Sequence, residues 1–479
     1  MAYIQGEDRK QITLFANCIE DYVENDNPVR GIEAFVESLD INVMGFKKAN
    51  PAEVGRPPYD PRDLLKLYIY GYLNRIRSSR RLETETGRNI ELMWLMRKLK
   101  PDFKTIADFR RDNSDALKSV FRQFNILCKG WGLFGETTIA IDGTKIRANN
   151  SKKKNYSRKK VKRQITYIDQ RIEEYLEQLD QADKDEAEIQ VPTAQEIHQR
   201  IAELKERKQD YQSLLEEMQN QGINEVSLTD PDARMMAVNN NGVDVCYNVQ
   251  IAVDSLHSLV VDCDVINNPT DHGQLSEMGK RSKEVLEVEE LDVLGDKGYY
   301  SAKDLIACEE EKLTTYVAKQ KYAANIKDPE FYNSEFKYDA EENVYICPAG
   351  QKLYPGRIRK TGNTEGRDYK NYRACKNCQY KDRCTKSKKG RAIFRNIHQE
   401  FLDQVDKRTQ ENKVLYQRRQ LIVEHPFGTV KRQWGFNYFL TRGLKSVKTE
   451  ASLAFLAYNF RRVISILGVE GIRTRLCTA

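Results

Sequence analysis

Residues 137–160 read TTIAIDGTKIRANNSKKKNYSRKK. A short apolar stretch ends on one acid, Asp142, and Gly143 and Thr144 follow it. The stretch predicts a β-strand over 137–147 that delivers a single carboxylate to its end. Immediately afterwards, segment 151–163 holds eight Lys or Arg and no acid. Two charged partners suit this order: a metal ion at the acid and a polyanion along the basic run. A solvated, flexible linker is the alternative for the run.

The whole chain bounds these choices. A length of 479 residues exceeds one core and predicts about two to four domains. With 40% hydrophobic and 31% charged residues the composition is polar but globular. No apolar run looks long enough to span a bilayer; the best candidate, ASLAFLAYNF, meets Arg461 and Arg462. The N-terminus MAYIQGEDRK has no apolar signal core, so the expectation is a cytoplasmic chain with no membrane partner. Net charge is only +7, which makes the clustering of cations more informative than their number. Ten cysteines without an export signal argue against a disulfide framework.

Working outward, GIEAFVESLD predicts a helix, and Asp60 followed by Pro61 predicts another start. Leu64, Leu65, Leu67, Tyr68 and Leu73 give that helix an apolar face, and Arg75, Arg77, Arg80 and Arg81 crowd its end. PDFKTIADFRRDN closes the helical series. Short helices with interspersed Arg fit a helix-turn-helix-like DNA-binding module, and equally a helical dimerisation domain. Ile165, Ile168, Ile172, Tyr175 and Leu179, then Ile197, Ile201, Leu204, Tyr211, Leu215 and Met218, recur every three or four residues around a break near VPTAQ. They predict a helical hairpin or a coiled-coil interface, a packing role in either case. Strands resume at GVDVCYNVQIAVDS, HSLVVDCDVINNPTD and LDVLGDKGYY. A helix is predicted over 271–288, and another from SAKDLIACEEE, capped by Ser301. Residues 331–395 are polar, and the pattern from 398 onward is helical.

The second strand end matching Asp142 is Asp296, again followed within two residues by Gly. Hard cations such as Mg²⁺ prefer carboxylate oxygens, and a rigid strand aims them better than a loop. Two ions about 3.5–4 Å apart serve an in-line displacement at phosphorus and call for at least three carboxylates. Glu424 is the candidate third, on a predicted helix flanked by Arg418, Arg419, Lys431 and Arg432. Asp254, Asp262, Asp264 and Asp271 compete with these three, and any of the acids taken singly also reads as a surface carboxylate. Cys347, Cys375, Cys378 and Cys384 supply the four thiolates of a tetrahedral structural Zn²⁺, or else are four unrelated thiols. Lys386, Lys388, Lys389 and Arg391 follow them. His272 and His425 read as hydrogen-bonded structural histidines.

The ordered series AIDGTKI, GVDVCYNVQIAVDS, NNPTDHGQL, LGDKGYYS, VEHPFGTVKRQWGF and SLAFLAYNFRR resembles the DDE-type transposases of bacterial insertion sequences, over most of the chain. The resemblance implies an α/β fold: an RNase H-like mixed sheet flanked by helices, in segments 131–150, 225–330 and 398–479. To this it adds an all-α N-terminal DNA-binding domain over 1–130, a helical, coiled-coil-like insertion over 151–224 and a Cys-rich insertion over 331–397. It maps the two metal-binding aspartates onto Asp142 and Asp296 and the glutamate onto Glu424, with two Mg²⁺ (or Mn²⁺) per site. Some relatives carry Tyr-x2-Arg-x3-Glu-x6-Lys. Here Glu424 and Lys431 keep the last spacing and Tyr416 and Arg419 the first, while Gln420 holds the Arg position. The implied activity is cleavage at transposon ends and joining of the freed 3′-hydroxyl to target DNA, by a nucleoid-associated homo-oligomer on double-stranded DNA. Backbone contacts are expected from Lys145, Arg147, Lys152, Lys153, Lys154, Arg158, Lys159, Lys160, Arg418, Arg419, Lys431 and Arg432. A DNA-binding regulator without catalysis, or a nuclease that never joins strands, are the competing functions.

Overall fold

The computed structural model describes residues 18–50, 57–151, 154–182, 194–220, 222–238, 242–319, 328–361 and 364–478. Six α-helices come first: α1 (Pro28–Glu37), α2 (Pro61–Leu73), α3 (Ser79–Thr86), α4 (Ile90–Leu95), α5 (Phe103–Asp112) and α6 (Ser114–Gly130). Asp60 caps α2 as expected, accepting a hydrogen bond from Arg62 N at 2.8 Å. The helical series does not close at Asn113. That residue ends α5 and immediately precedes α6, whose apolar face holds Leu117, Val120, Phe121 and Phe124.

The sequence then alternates strands and helices: β1 (Thr138–Arg147), β2 (Asn155–Ser157), α7 (Arg158–Ala182), α8 (Ala194–Asn220), β3 (Glu225–Ser227), β4 (Arg234–Val238), β5 (Gly242–Asp254), β6 (Val260–Ile266), α9 (Gln274–Leu286), β7 (Leu291–Gly295), α10 (Ala302–Glu310) and β8 (Leu313–Val317). The main sheet runs β6-β5-β1-β7-β8, with β4 sharing the edge of β5 that β6 also uses. β5 is antiparallel to β1 and β6, whereas β7 and β8 are parallel to β1. Three antiparallel strands followed by two parallel ones, with α9 and α10 as crossovers, make the RNase H-like core.

β1 does not end on Asp142. It continues to Arg147 because β5 keeps pairing with it, from Asp142↔Ile251 to Arg147↔Cys246. What stops is β7 on its other side: the parallel ladder's last pair is Ile141↔Gly295. Asp142 therefore sits where β1 loses one neighbour, and its burial falls from complete to partial there.

The Cys-bearing region is more than a polar loop. Its strands β9 (Lys337–Asp339), β10 (Val344–Ile346), β11 (Lys352–Thr361) and β12 (Thr364–Lys370), the short helices α11 (Tyr372–Lys376) and α12 (Lys381–Cys384), and β13 (Ala392–Asn396) form a second sheet, ordered β13-β12-β11-β10-β9. Phe336, Tyr345, Leu353, Tyr369 and Ile393 give it a small core of its own. α13 (Gln399–Glu411), α14 (Lys413–Phe427) and α15 (Leu444–Thr478) complete the chain.

α15 is long and apolar enough, by length and composition, to cross a membrane, which corrects the expectation of no such run. Arg461 and Arg462 did not break it, although Gly468 kinks it (φ 70°, ψ 169°). Its apolar residues face protein: 61% of the most apolar window is buried. Phe460 packs against Phe35 of α1 and Phe124 of α6, with ring centroids 6.0 and 5.4 Å away. One continuous hydrophobic core thus runs from the N-terminal helices through α15 into the sheet.

α7 and α8 pack on each other as a hairpin, burying Ile168, Ile197, Ile201 and Met218. The VPTAQ break lies largely outside the described residues. β2 pairs with β3 at the hairpin's base, and Arg158 donates to Met218 O and Ile223 O, both at 2.8 Å.

Candidate active site

Strand register puts Asp142 and Asp296 side by side, since each follows the last parallel pair between β1 and β7. Asp142 Oδ1 accepts from Gly143 N at 2.8 Å, and Asp296 Oδ1 from Gly298 N at 2.7 Å. The glycine after each aspartate has a steric cause. A Cβ on Gly143 would stand 2.3 Å from Gln250 Nε2 and 2.9 Å from Asp271 Oδ1; one on Gly298 would stand 2.8 Å from Asp296 Oδ1. Any side chain there displaces the groups that line the site.

Burial, and after it the nearby Asp296 and Asp271 carboxylates, push the Asp142 carboxyl up to about 6, although the Gly143 N–H and the Arg419 guanidinium pull it down. The folded state thus holds this proton more tightly than the unfolded chain. The resulting stability is present below about pH 4 and is lost as pH rises to about 6. Above that, ionised Asp142 costs the metal-free fold about 3 kcal/mol. Asp142→Asn removes that cost. In chelator at pH 7.5 its unfolding midpoint is expected to exceed the parent's, with the gap closing near pH 4. A variant less stable than the parent at pH 7.5 contradicts this.

α14 packs over β1, β5 and β7 and brings Arg419 within electrostatic range of Asp142. Glu424 is on the same helix but is exposed, and Gln420 Nε2 donates to its Oε1 at 2.7 Å. Gln420, the departure from the relatives' signature, therefore holds the glutamate one helical turn on. Among the described residues, no group of three or more His, Cys, Asp or Glu is already arranged to hold a metal ion. A π-helical turn, Gly428–Gln433, follows α14. It turns Lys431 inward, so that Nζ donates to Thr144 Oγ1 (2.8 Å) and Lys145 O (3.1 Å), on β1 rather than towards open solvent.

A family profile described as Transposase DDE domain matches residues 346–464, and one described as Transposase domain (DUF772) matches residues 17–112. Over these two segments the chain is similar to transposases. No curated protein matches. The solved structures include a cryo-EM structure of the piggyBac transposase synaptic complex with hairpin DNA. It aligns over 95% of this chain and 79% of that one, at 8% identity and a TM-score of 0.31.

The chain spends some of the predicted DNA contacts on its own structure. Arg158 ties the hairpin base, and Lys160 Nζ donates to Asn155 O at 2.7 Å and lies over the Tyr156 ring. Lys145 pairs with Asp271 at 3.3 Å. Arg147, Lys154, Lys159, Arg418 and Arg432 are exposed, while Lys152 and Lys153 lie outside the described residues. Sequence reasoning passed over Lys162 and Arg163, which with Arg158, Lys159 and Tyr167 line an open basic hollow on α7. Their place in the acid-free run was the available signal. His272 is exposed, and His425 Nδ1 donates to the Tyr458 hydroxyl at 2.6 Å, which in turn donates to Ser258 O.

The four cysteines of the insertion line one cavity of about 30 Å³. Burial, and then the other three thiols, raise the Cys384 thiol, against the pull of Arg391. Gly390 leaves no room beside them: a Cβ there would stand 3.0 Å from Cys375 Sγ.

Proposed function

We propose that this transposase hydrolyses DNA at the ends of its own element and joins the freed 3′-hydroxyl to target DNA. The observation that carries this is the pairing of Asp142 and Asp296 where the parallel ladder stops. The donor set fits a divalent cation. Two carboxylates stand together with Asp271 nearby, and burial and mutual repulsion hold Asp142 back from ionising at its ordinary value. When bound, two Mg²⁺ or Mn²⁺ ions supply activation of the attacking oxygen and stabilisation of the leaving one. Asp142 and Asp296 offer oxygens from the rigid backbone where the β1–β7 ladder stops, and the glycines beside them keep the approach open. Glu424 is the third carboxylate of this reading, and it would give up its bond to Gln420 to join the other two. Arg418, Arg432, Arg147, Lys154 and Lys159 present exposed cations to the phosphodiester backbone.

The test uses a labelled duplex carrying the terminal repeats that flank the coding gene, with a target plasmid and Mg²⁺. Nicks at the repeat ends plus joined product are expected, and chelator abolishes both. Cuts without joined product favour a nuclease; retarded duplex without cuts favours a regulator.

We also propose that Cys347, Cys375, Cys378 and Cys384 hold a structural Zn²⁺, since four sulfur donors line one small cavity. Protein purified without added zinc is expected to contain about one Zn²⁺ per chain. Cys375→Ser and Cys378→Ser should lose it and melt earlier, because structural zinc is coupled to folding. Metal analysis finding no zinc in the parent rejects the site.

A further inference from the structure

We infer that Asp271 is a further carboxylate ligand of the metal centre, an inference that rests on the cleavage reading above. Four aspartates competed with Asp142 and Asp296 in the sequence, and three of them have other occupations. Asp254 accepts from Gly135 N and Leu256 N at 2.9 and 2.8 Å. Asp262 and Asp264 share Arg281, at 2.7 and 3.3 Å, and Asp264 also pairs with Lys448 at 2.7 Å.

Asp271 differs in having one oxygen saturated and the other left over. Oδ1 accepts from Asn248 Nδ2 and Gln250 Nε2, both at 2.7 Å, and from Lys145 Nζ at 3.3 Å. Asn248 and Gln250 are fully buried on β5. Register places them opposite Lys145 and Gly143, on the face of β1 away from Asp142 and Thr144. Their orientation is fixed in turn: Gln250 Nε2 also donates to Asn248 Oδ1 at 3.0 Å, and the buried Tyr299 hydroxyl donates to Gln250 Oε1. A carboxylate aimed by a second layer of hydrogen bonds is how proteins prepare a metal ligand.

Oδ2 accepts no hydrogen bond among the described residues. It points to the Asp296 side: it lies 3.6 Å from the Cβ position of Gly298, and Asp296 Oδ1 lies 2.8 Å from the same point. Asp271 thus turns its free oxygen towards the Asp296 side, although the three aspartates are not yet closed around an ion. Lys145 pairs with Asp271, and Arg419 acts on Asp142.

Mn²⁺ alone, titrated into full-length protein and followed by the EPR signal of the free aquo ion, tests this. Asp271→Asn should weaken Mn²⁺ binding by about tenfold or more, and Asp271→Glu should recover part of the loss. Lys145→Met should bind Mn²⁺ at least as tightly as the parent, because a competing cation is gone. Circular dichroism checks that each variant is folded. Parent-like binding by Asp271→Asn overturns the inference. An equal loss in Lys145→Met also overturns it, since Asp271 would then serve only to hold that lysine. Asp142→Asn and Asp296→Asn in the same titration separate the two readings. If they weaken binding and Asp271→Asn does not, only this inference fails; if neither weakens it, the cleavage reading fails.

Discussion

Asp142→Asn and Asp296→Asn are each expected to nick the labelled end-bearing duplex at least about a thousandfold more slowly than the parent. Each substitution keeps size and removes one charge from the centre. A poorly held metal forfeits several kcal/mol of transition-state stabilisation, and each ~1.4 kcal/mol is a factor of ten. Glu424→Gln should fall comparably if the helix presents it to the metal. All three should bind DNA as well as the parent or slightly better, since the phosphate contacts come from Lys and Arg and one source of repulsion is gone. Asp264→Asn is the control and should be mild, because Asp264 is occupied by Arg281 and Lys448. Parent-like cutting by Asp142→Asn, or a dead Asp264→Asn, refutes the assignment of the acids.

The largest stability effect is expected at Glu450, far from the chemistry. Glu450 is fully buried in α15. It accepts from Leu440 N at 3.0 Å, from Thr441 N and Oγ1 at 3.1 and 2.9 Å, and from Arg77 Nη1 at 3.3 Å. Arg77 comes from the segment between α2 and α3 and stacks on Phe436 and Tyr438, at 4.7 and 4.9 Å. Glu450→Ala leaves the guanidinium and two backbone N–H groups without their acceptor, a loss of about 3–5 kcal/mol for a broken buried pair. Glu450→Gln should lose less, since an amide oxygen still accepts. Denaturant unfolding measures both, and an unchanged midpoint for Glu450→Ala removes this carboxylate from the account of how the N-terminal helices attach.

The sheet was legible because its strands are written in β-branched runs with turn residues at their ends, as in TTIAID before Gly143. Periodicity likewise showed the α7–α8 stripe. The small sheet over 337–396 was not legible, because its strands carry charged residues on exposed faces and only five side chains form its core. The aspartate pair was visible as two strand ends with glycine. The role of Asp271 was not, because it lies in a loop and its meaning depends on Asn248 and Gln250, which occupy ordinary strand positions more than twenty residues earlier in the chain. The inward turn of Lys431 depends on a π-helical turn that no residue pattern announced.

The shared core of α1, α2, α6 and α15 has a mechanical consequence. No swivel separates the N-terminal helices from the sheet: aromatic packing at Phe35, Phe124 and Phe460 and the Arg77–Glu450 anchor join them as one body. Were those helices to grip DNA, they would hold it at a set span from Asp142, and the molecule would work as a ruler. The cut would then fall a fixed number of base pairs from the gripped sequence. Base pairs inserted between the two would move the cut along with the grip, leaving the original bond intact.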